Sequence, residues 1–418
     1  MNFLVLVVAF AGPWLSSAGI ARTQEPSSSP SPSVDKAELR QALLDLANAW
    51  TVMCVAAHPD DEDGTTLTVL RREYGVHTVS VFSTYGEGGQ NAVGPELYEE
   101  LGVIRVRETI NASRIQGSEP YFLGLNDFGF SKSAEEAFRF WGHDEALRRL
   151  VLKIRELRPD VIITNHDTTS GHGHHQATGR LVLEAFDAAA DPRRFPEQLT
   201  LLKPWQTQRL FVRIFGSGNS DNKNTGSEKI VAIDPNEVDP VRGTSFAAQS
   251  LSALQQHATQ GPWPKSVEAW LKARRIETGK LPPVRYRLVR EAQNSLPLPV
   301  NATTLLDGLK LPAPAAGIFV SPTIENKPLT GFLDRPDRVL DELLKYGTRP
   351  NVSGPADDSS RLDLFQSRFN KAVALAAGMM LAVSSHNDGV VPGEKTAFSI
   401  TLANSGNRTV EVKNLSFN

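Results

Sequence analysis

The chain has 418 residues, 40% of them hydrophobic and 22% charged, with a formal charge of −3. That length holds one large domain plus extras, or about two to three globular domains, and the near-neutral charge gives no electrostatic reason for a nucleic-acid or anionic-membrane partner. The single cysteine, Cys54, excludes an internal disulfide framework and any multi-thiolate metal site.

Residues 1–21 read as a signal peptide. Their apolar core, 3–15, is too short to span a bilayer, and small residues follow at Ser16, Ala18, Gly19 and Ala21. The expectation is an exported chain, secreted or periplasmic, with no membrane span in its mature form. The Ser/Pro run at 22–34 is a linker that cannot bury a core. Asp35 is a candidate N-cap for a helix over 35–50, where Leu39, Ala42, Leu43, Leu46 and Ala47 recur at helical spacing.

A β-prone run at 51–57 predicts the first strand, with Cys54 buried in it. It stops at His58-Pro59-Asp60-Asp61-Glu62-Asp63. Proline cannot continue a central strand, so the acids fall just past its carboxyl end, where open α/β sheets bind ligands. The pattern then predicts a helix at 64–74, a strand at 76–83, a glycine-rich loop at 84–91 and a helix at 96–116 closed by Gly117. A strand at 121–125, a helix at 133–158 stopped by Pro159, a strand at 160–164 and a loop at 165–175 follow. Next come a helix at 176–189, strands at 209–215 and 229–233, and a helix at 245–257. Strands alternating with helices predict an α/β fold, a Rossmann-like, mostly parallel sheet with flanking helices. Right-handed crossovers place the polar and glycine-rich loops along one sheet edge.

The region 35–295 is expected to form the main domain. Residues 296–385 read as a Pro-rich and helical extension, with helices at 338–346 and 360–381. In 386–418 a strand at 397–402, a turn at 404–407 and a run at 409–412 predict a β-hairpin. It reads as the start of a C-terminal β-sandwich-like segment whose remainder is absent, as in a fragment.

Carboxylates crowded after His58 repel one another unless a cation holds them, although an acidic first helical turn would explain them as well. A second cluster bears on that choice. Ser170-Gly171-His172-Gly173-His174-His175 puts three of the nine histidines into four positions, again after a predicted buried strand. Together the two stretches offer a facial set of His, Asp and His with a fourth position left for water, the arrangement of catalytic zinc.

His58-Pro59-Asp60-Asp61-Glu62 with His172-x-x-His175 resembles the paired signatures of the PIG-L/LmbE family of zinc-dependent N-acetylglucosaminyl deacetylases. The resemblance covers about residues 51–257, with secondary matches at Thr84-x-Gly86-x-x-Gly89, Arg105-x-x-Glu108-x-x-x-Ala112 and Asp127. It implies Zn2+ held by His58, Asp61 and His175. It also implies Asp60 as general base, His172 polarising the acyl oxygen, and Arg105 and Asp127 at sugar hydroxyls. The implied substrate is an amino-sugar or glycoconjugate.

The physical chemistry of the residues is compatible with this. Asp60 can take a proton from water and pass it to a departing amine, and a protonated His172 can stabilise an oxyanion. Glu62 is expected to orient a ligand or the loop, and Asp63 to be a solvated helix-terminal acid. Two positions depart from the family pattern. His174 stands where many relatives carry Asp or Asn, so it can orient His172, compete as a ligand or be solvated. Ser170 stands where some relatives carry tyrosine. The competing functions are a zinc amidohydrolase acting on a different N-acyl amine and a non-catalytic carbohydrate-binding module. The presence of the whole ligand set with Asp60 and His172 argues against the latter.

Overall fold

The computed structural model describes residues 4–10, 35–215, 228–310, 322–346, 359–385 and 395–417. The linker at 22–34, and all of the expected signal peptide except Leu4–Phe10, lie outside the described residues. The chain divides into a larger unit, Asn48–Leu311, and a smaller one made of Met1–Ala47 and Pro312–Asn418.

The elements of the larger unit are β1 (Thr51–Ala56), α1 (Gly64–Arg72), β2 (His77–Thr84), α2 (Glu99–Gln116), β3 (Glu119–Leu125), α3 (Ala134–Trp141) and α4 (His143–Leu157). They continue with β4 (Val161–Thr164), α5 (Gly173–Ala188), β5 (Arg209–Ile214), β6 (Ile230–Ile233), α6 (Phe246–Leu254), α7 (Val267–Ala273) and β7 (Val284–Glu291). The seven strands form one sheet in the order β3-β2-β1-β4-β5-β7-β6. The first five positions are parallel, while β7 runs antiparallel to both β5 and β6. The expected α/β sheet is therefore the observed one.

Period-2 alternation explains how β1 is buried on both faces. Met53 and Val55 pack with Val79, Val81 and Ile162 under Leu147, Leu150, Leu181 and Val182. Val52 and Cys54 pack on the opposite side with Leu67, Leu70, Ile163 and Phe211. Burial pushes the Cys54 thiol far above its ordinary pKa, which leaves it the inert core residue expected. The strand order reverses at β1: β2 and β3 lie to one side, β4 and β5 to the other. β1 and β4 are neighbours, with Val55 opposite Thr164, so their loops leave side by side at the switch point, the crevice where doubly wound sheets bind ligands.

Parts of the larger unit differ from the sequence expectation. The helix expected at 133–158 is two helices, broken at Gly142, whose φ of +70° only glycine adopts without strain. α5 begins at Gly173 with His172 as N-cap, so His174 and His175 occupy a first helical turn rather than a loop. α7 and β7 have no counterpart in that expectation, although Val284, Tyr286 and Leu288 do alternate with arginines. Residues 296–310, assigned to an extension, are bound into the larger unit. The fully buried Arg209 donates to the carbonyls of Leu296, Leu305 and Asp307, and Leu298 and Leu305 join the core.

In the smaller unit the helix Lys36–Ala47 is capped by Asp35, which accepts from the amides of Ala37 and Glu38 at 2.9 and 3.1 Å. Its Leu39, Leu43 and Leu46 pack with Leu340 and Leu343 of the helix Pro336–Tyr346 and with Phe365 and Phe369 of the helix Ser359–Ala376. This helix thus clusters with the C-terminal segments rather than with the 48–295 stretch. The helix expected through residue 381 ends at Ala376 and gives way to a strand, Met379–Ser385, after Gly378.

The expected hairpin does not form. Phe398–Asn404 pairs antiparallel with Met379–Ser385, while Val410–Phe417 pairs parallel with Leu4–Phe10. Ser405 gives both its amide and hydroxyl to the Gly378 carbonyl, which anchors the end of the first of those pairs. The C-terminal segment thus contributes to two small sheets rather than one hairpin. Among the described residues, no helix is long and apolar enough to cross a membrane.

Candidate active site

The loop after β1 is held from three sides. Ala57 donates its amide to His166 Nε2 at 2.9 Å, Asn165 Nδ2 donates to the Asp61 carbonyl at 2.7 Å, and Gln260 Nε2 donates to the Pro59 carbonyl at 2.6 Å. Asp60 has a φ of +89°, a conformation costly for a residue with a Cβ. The Glu62 carboxylate accepts the Asp60 amide at 3.0 Å and so stabilises that backbone. Glu62 also accepts from Gln116 Nε2 at 3.1 Å and lies 3.4 Å from His257 Nε2. These contacts tie Glu62 to the backbone of the loop and to two neighbouring side chains.

Asp61 Oδ2 is the meeting point of the histidines. It lies 2.8 Å from His58 Nδ1, 3.3 Å from His175 Nε2 and 3.8 Å from His166 Nε2. Burial alone would raise the Asp61 carboxyl, but the hydrogen bonds from His175 and His58 hold it well below its ordinary value. For His58, burial opposes protonation, yet the hydrogen bond and charge of Asp61, aided by Asp127, lift its pKa above the usual imidazole value. Burial, then the charges of Asp61 and Glu62, push the neighbouring Asp60 carboxyl well up. Two adjacent acids are thus driven apart, one held ionised and the other primed to hold a proton, as in other acid–base pairs.

His172, the N-cap of α5, accepts the His174 amide on Nδ1 at 3.4 Å. Burial, then the nearby His175 and His58, lower its pKa to about 4. The imidazole is therefore neutral near pH 7 rather than protonated, and its acceptor Nδ1 leaves the proton on Nε2. His174 is fully buried, not solvated, between Phe128 and Trp141, and burial, then His58 and His172, lower its pKa to about 2. Its Nδ1 lies 3.0 Å from His58 Nε2, while its amide and ring also adjoin His172.

Among the described residues two sets of three donors lie mutually within 4.8 Å: His58, His172 and His175, and His58, Asp127 and His174. Asp61 joins His58 and His175 pairwise through one oxygen. Imidazoles with a carboxylate at this spacing suit zinc, and the residues present fit that ion.

Next to these donors a cavity of about 370 Å³ is lined by Asp60, His58, Arg105, Asp127, His172, Phe130 and Gln260, among others. Arg105 does line it, but its guanidinium is committed to the loop after β2, donating to the carbonyls of Gly86 and Gln90 at 2.7 Å each. The helical Arg105–Glu108 pair that the spacing suggests does not form. Glu108 instead accepts from the amide and hydroxyl of Thr259, which positions Gln260. Asp127 both turns its own loop, accepting the Gly129 amide at 2.9 Å, and approaches His58 Nε2 at 3.8 Å. Gly88 is packed so tightly there that a Cβ would fall 2.4 Å from the Asp127 carbonyl. Phe130 stands 79% exposed at the rim beside His172.

Sequence reasoning did not single out His166 or Gln260. His166 carried a signal, since it follows the same strand end as the histidine cluster. Gln260 carried none, being 201 residues from the carbonyl it holds.

Asp63 is not a solvated acid. It is 1% exposed, caps α1 through the Thr66 amide at 3.0 Å, accepts from Tyr286 Oη at 2.6 Å and pairs with Arg213 Nη1 at 3.1 Å. It ties the motif loop to β5 and β7. Asp63→Ala leaves Arg213 uncompensated and is expected to cost about 3–5 kcal/mol, whereas Tyr286→Phe removes one bond to a charged acceptor and costs about 1.5–3 kcal/mol. Urea unfolding checks both, and equal midpoints for Asp63→Ala and wild type would remove this anchoring role.

The family model described as GlcNAc-PI de-N-acetylase, PIG-L, matches residues 53–186. The chain is 30% identical over 253 residues to the 1D-myo-inositol 2-acetamido-2-deoxy-alpha-D-glucopyranoside deacetylase of Streptomyces avermitilis, covering 51% of this chain and 84% of that one. It is 33% identical over 168 residues to the mycothiol S-conjugate amidase of Streptomyces coelicolor, covering 36% of this chain and 57% of that one. Among solved structures, N,N'-diacetylchitobiose deacetylase from Pyrococcus horikoshii superposes with a TM-score of 0.42 at 22% identity, over 57% of this chain and 83% of the other. With the two motif loops joined at one switch point and a curated relative matched over most of its length, the chain belongs to the PIG-L family.

Proposed function

We propose that this protein is a zinc-dependent hydrolase that removes the N-acetyl group from a GlcNAc-containing substrate. The observation that carries the reading is the position of Asp60. It lies on the cavity wall, next in the chain to Asp61 and held in a strained conformation, with neutral His172 also lining that cavity. The deacetylases among its relatives support the substrate class.

His58, Asp61 and His175 would hold the zinc, with His172 next to them. When bound, zinc supplies Lewis acidity, polarising a carbonyl and making water acidic enough to ionise near neutral pH. Asp60 takes the proton from the attacking water, and its raised pKa suits it to deliver that proton to the departing amine. His172 donates from Nε2 to the oxygen of the tetrahedral intermediate, at the N-terminus of α5, whose dipole favours the same developing charge. Asp127 and Arg105 shape the sugar side, the latter by fixing the glycine loop.

Zinc-loaded protein incubated with free, disaccharide and lipid-linked GlcNAc compounds is expected to release acetate from at least one. The absence of acetate from all of them, with zinc bound and the fold intact, would refute the reading. A second reading retains this chemistry with a different N-acyl amine, favoured by the similarity to the mycothiol S-conjugate amidase. Amine release from such a compound alone would select it. Sugar binding without hydrolysis would select a carbohydrate-binding module instead.

A further inference from the structure

We infer that His174 is a positioning residue for His58, serving as the hydrogen-bond acceptor that turns the His58 Nδ1 lone pair toward the Asp61–His175 side. The inference rests on the zinc reading above but concerns an interaction that it does not require.

A neutral imidazole carries one N–H and one lone pair. His58 Nδ1 lies against Asp61 Oδ2, the oxygen that His175 Nε2 also approaches, so a cation held there needs the lone pair on Nδ1 and the proton on Nε2. That proton needs an acceptor. Asp127 Oδ2, at 3.8 Å, is too far to accept it directly, whereas His174 Nδ1 lies at 3.0 Å. When His174 Nδ1 accepts, its own proton sits on Nε2, a buried atom with no hydrogen-bond partner among the described residues. The His174 ring is held by packing instead, edge-to-face with Phe128 at 4.5 Å and beside Trp141 at 4.9 Å between centroids. A fully buried imidazole with one nitrogen aimed at a ligand histidine and the other unpartnered has the geometry of an outer acceptor. Such groups select a ligand's tautomer and ring orientation. The histidine in this position therefore supplies to His58 what a carboxylate or carbonyl supplies in other zinc sites.

Chelator competition on substrate-free protein tests this, since it reads zinc affinity and not turnover. His174→Asn places a carbonyl oxygen near the site of Nδ1 and is expected to keep wild-type zinc affinity. His174→Gln moves its polar atoms toward the Nε2 position and His174→Phe removes the acceptor. Both are expected to weaken zinc by about 10–100-fold. Circular dichroism and the melting temperature of the metal-free proteins confirm folding, and the Asn–Gln contrast stands even if the Phe variant does not fold. Equal affinity in the Asn and Gln variants, or tighter zinc in His174→Phe, as a competing ligand would give, overturns the inference. His175→Ala separates the two failures. If wild type and His175→Ala bind zinc equally, the ligand assignment has failed. If only His175→Ala is impaired, the role of His174 alone has failed.

Discussion

Asp60→Asn is expected to lower kcat by about 10²–10⁴-fold while leaving zinc content unchanged. The separation follows from geometry. Asp61, not Asp60, meets His58 and His175, so the substitution leaves the donors in place. Asparagine also tolerates the left-handed backbone that Asp60 adopts at φ +89°, so the fold should survive where a β-branched residue would not. Glu62 shares in the effect without touching substrate, because it holds the Asp60 amide at 3.0 Å and is itself held by Gln116. Single-turnover acetate release together with metal analysis checks the prediction. An Asp60→Asn protein with full activity would remove the proposed base, and one without zinc would make Asp60 a ligand.

His175→Ala is expected to reduce zinc affinity by more than the ~10–100-fold that loss of an outer partner costs, and to abolish acetate release. His175 reaches Asp61 Oδ2 from α5, whereas His58 reaches it from the loop after β1. Removing His175 therefore breaks the link between α5 and the loop after β1 as well as removing one proposed zinc donor. Zinc that binds only the folded state stabilises it by about 2.7 kcal/mol at a concentration 100 times its Kd. The melting temperature of wild type should rise on adding zinc and fall on chelation, while that of His175→Ala should respond to neither. A zinc-dependent rise in His175→Ala equal to that of wild type would move the ion to other donors.

Much of this site is legible in the amino-acid sequence. The acids after His58 and the histidines at 172–175 each follow a buried strand, and strand ends announce themselves locally. Pro59 and Gly171 stop regular structure, and apolar runs at 51–57 and 160–164 mark the interior. The pairing of side chains within each cluster is not legible in the same way. Asp63 looks like a surface acid in the chain but is buried against Tyr286 and Arg213, which arrive from the distant strands β7 and β5. His174 has three open roles in the sequence, and its burial between Phe128 and Trp141 removes one of them, the solvated one.

The amino-acid sequence by itself determined the α/β class, the sheet edge on which the chemistry sits and the residue types delivered there. These depend on hydrophobic period and on proline and glycine punctuation, which act over a few residues. Only the tertiary structure decided that the motif loops of β1 and β4 are neighbours and that Gln260 closes the wall. It also decided that β7 enters the sheet antiparallel and that the strand Phe398–Asn404 pairs with Met379–Ser385 rather than with its successor. Those outcomes rest on contacts between residues far apart in the chain, where burial and hydrogen-bond satisfaction over the whole unit outweigh any local preference.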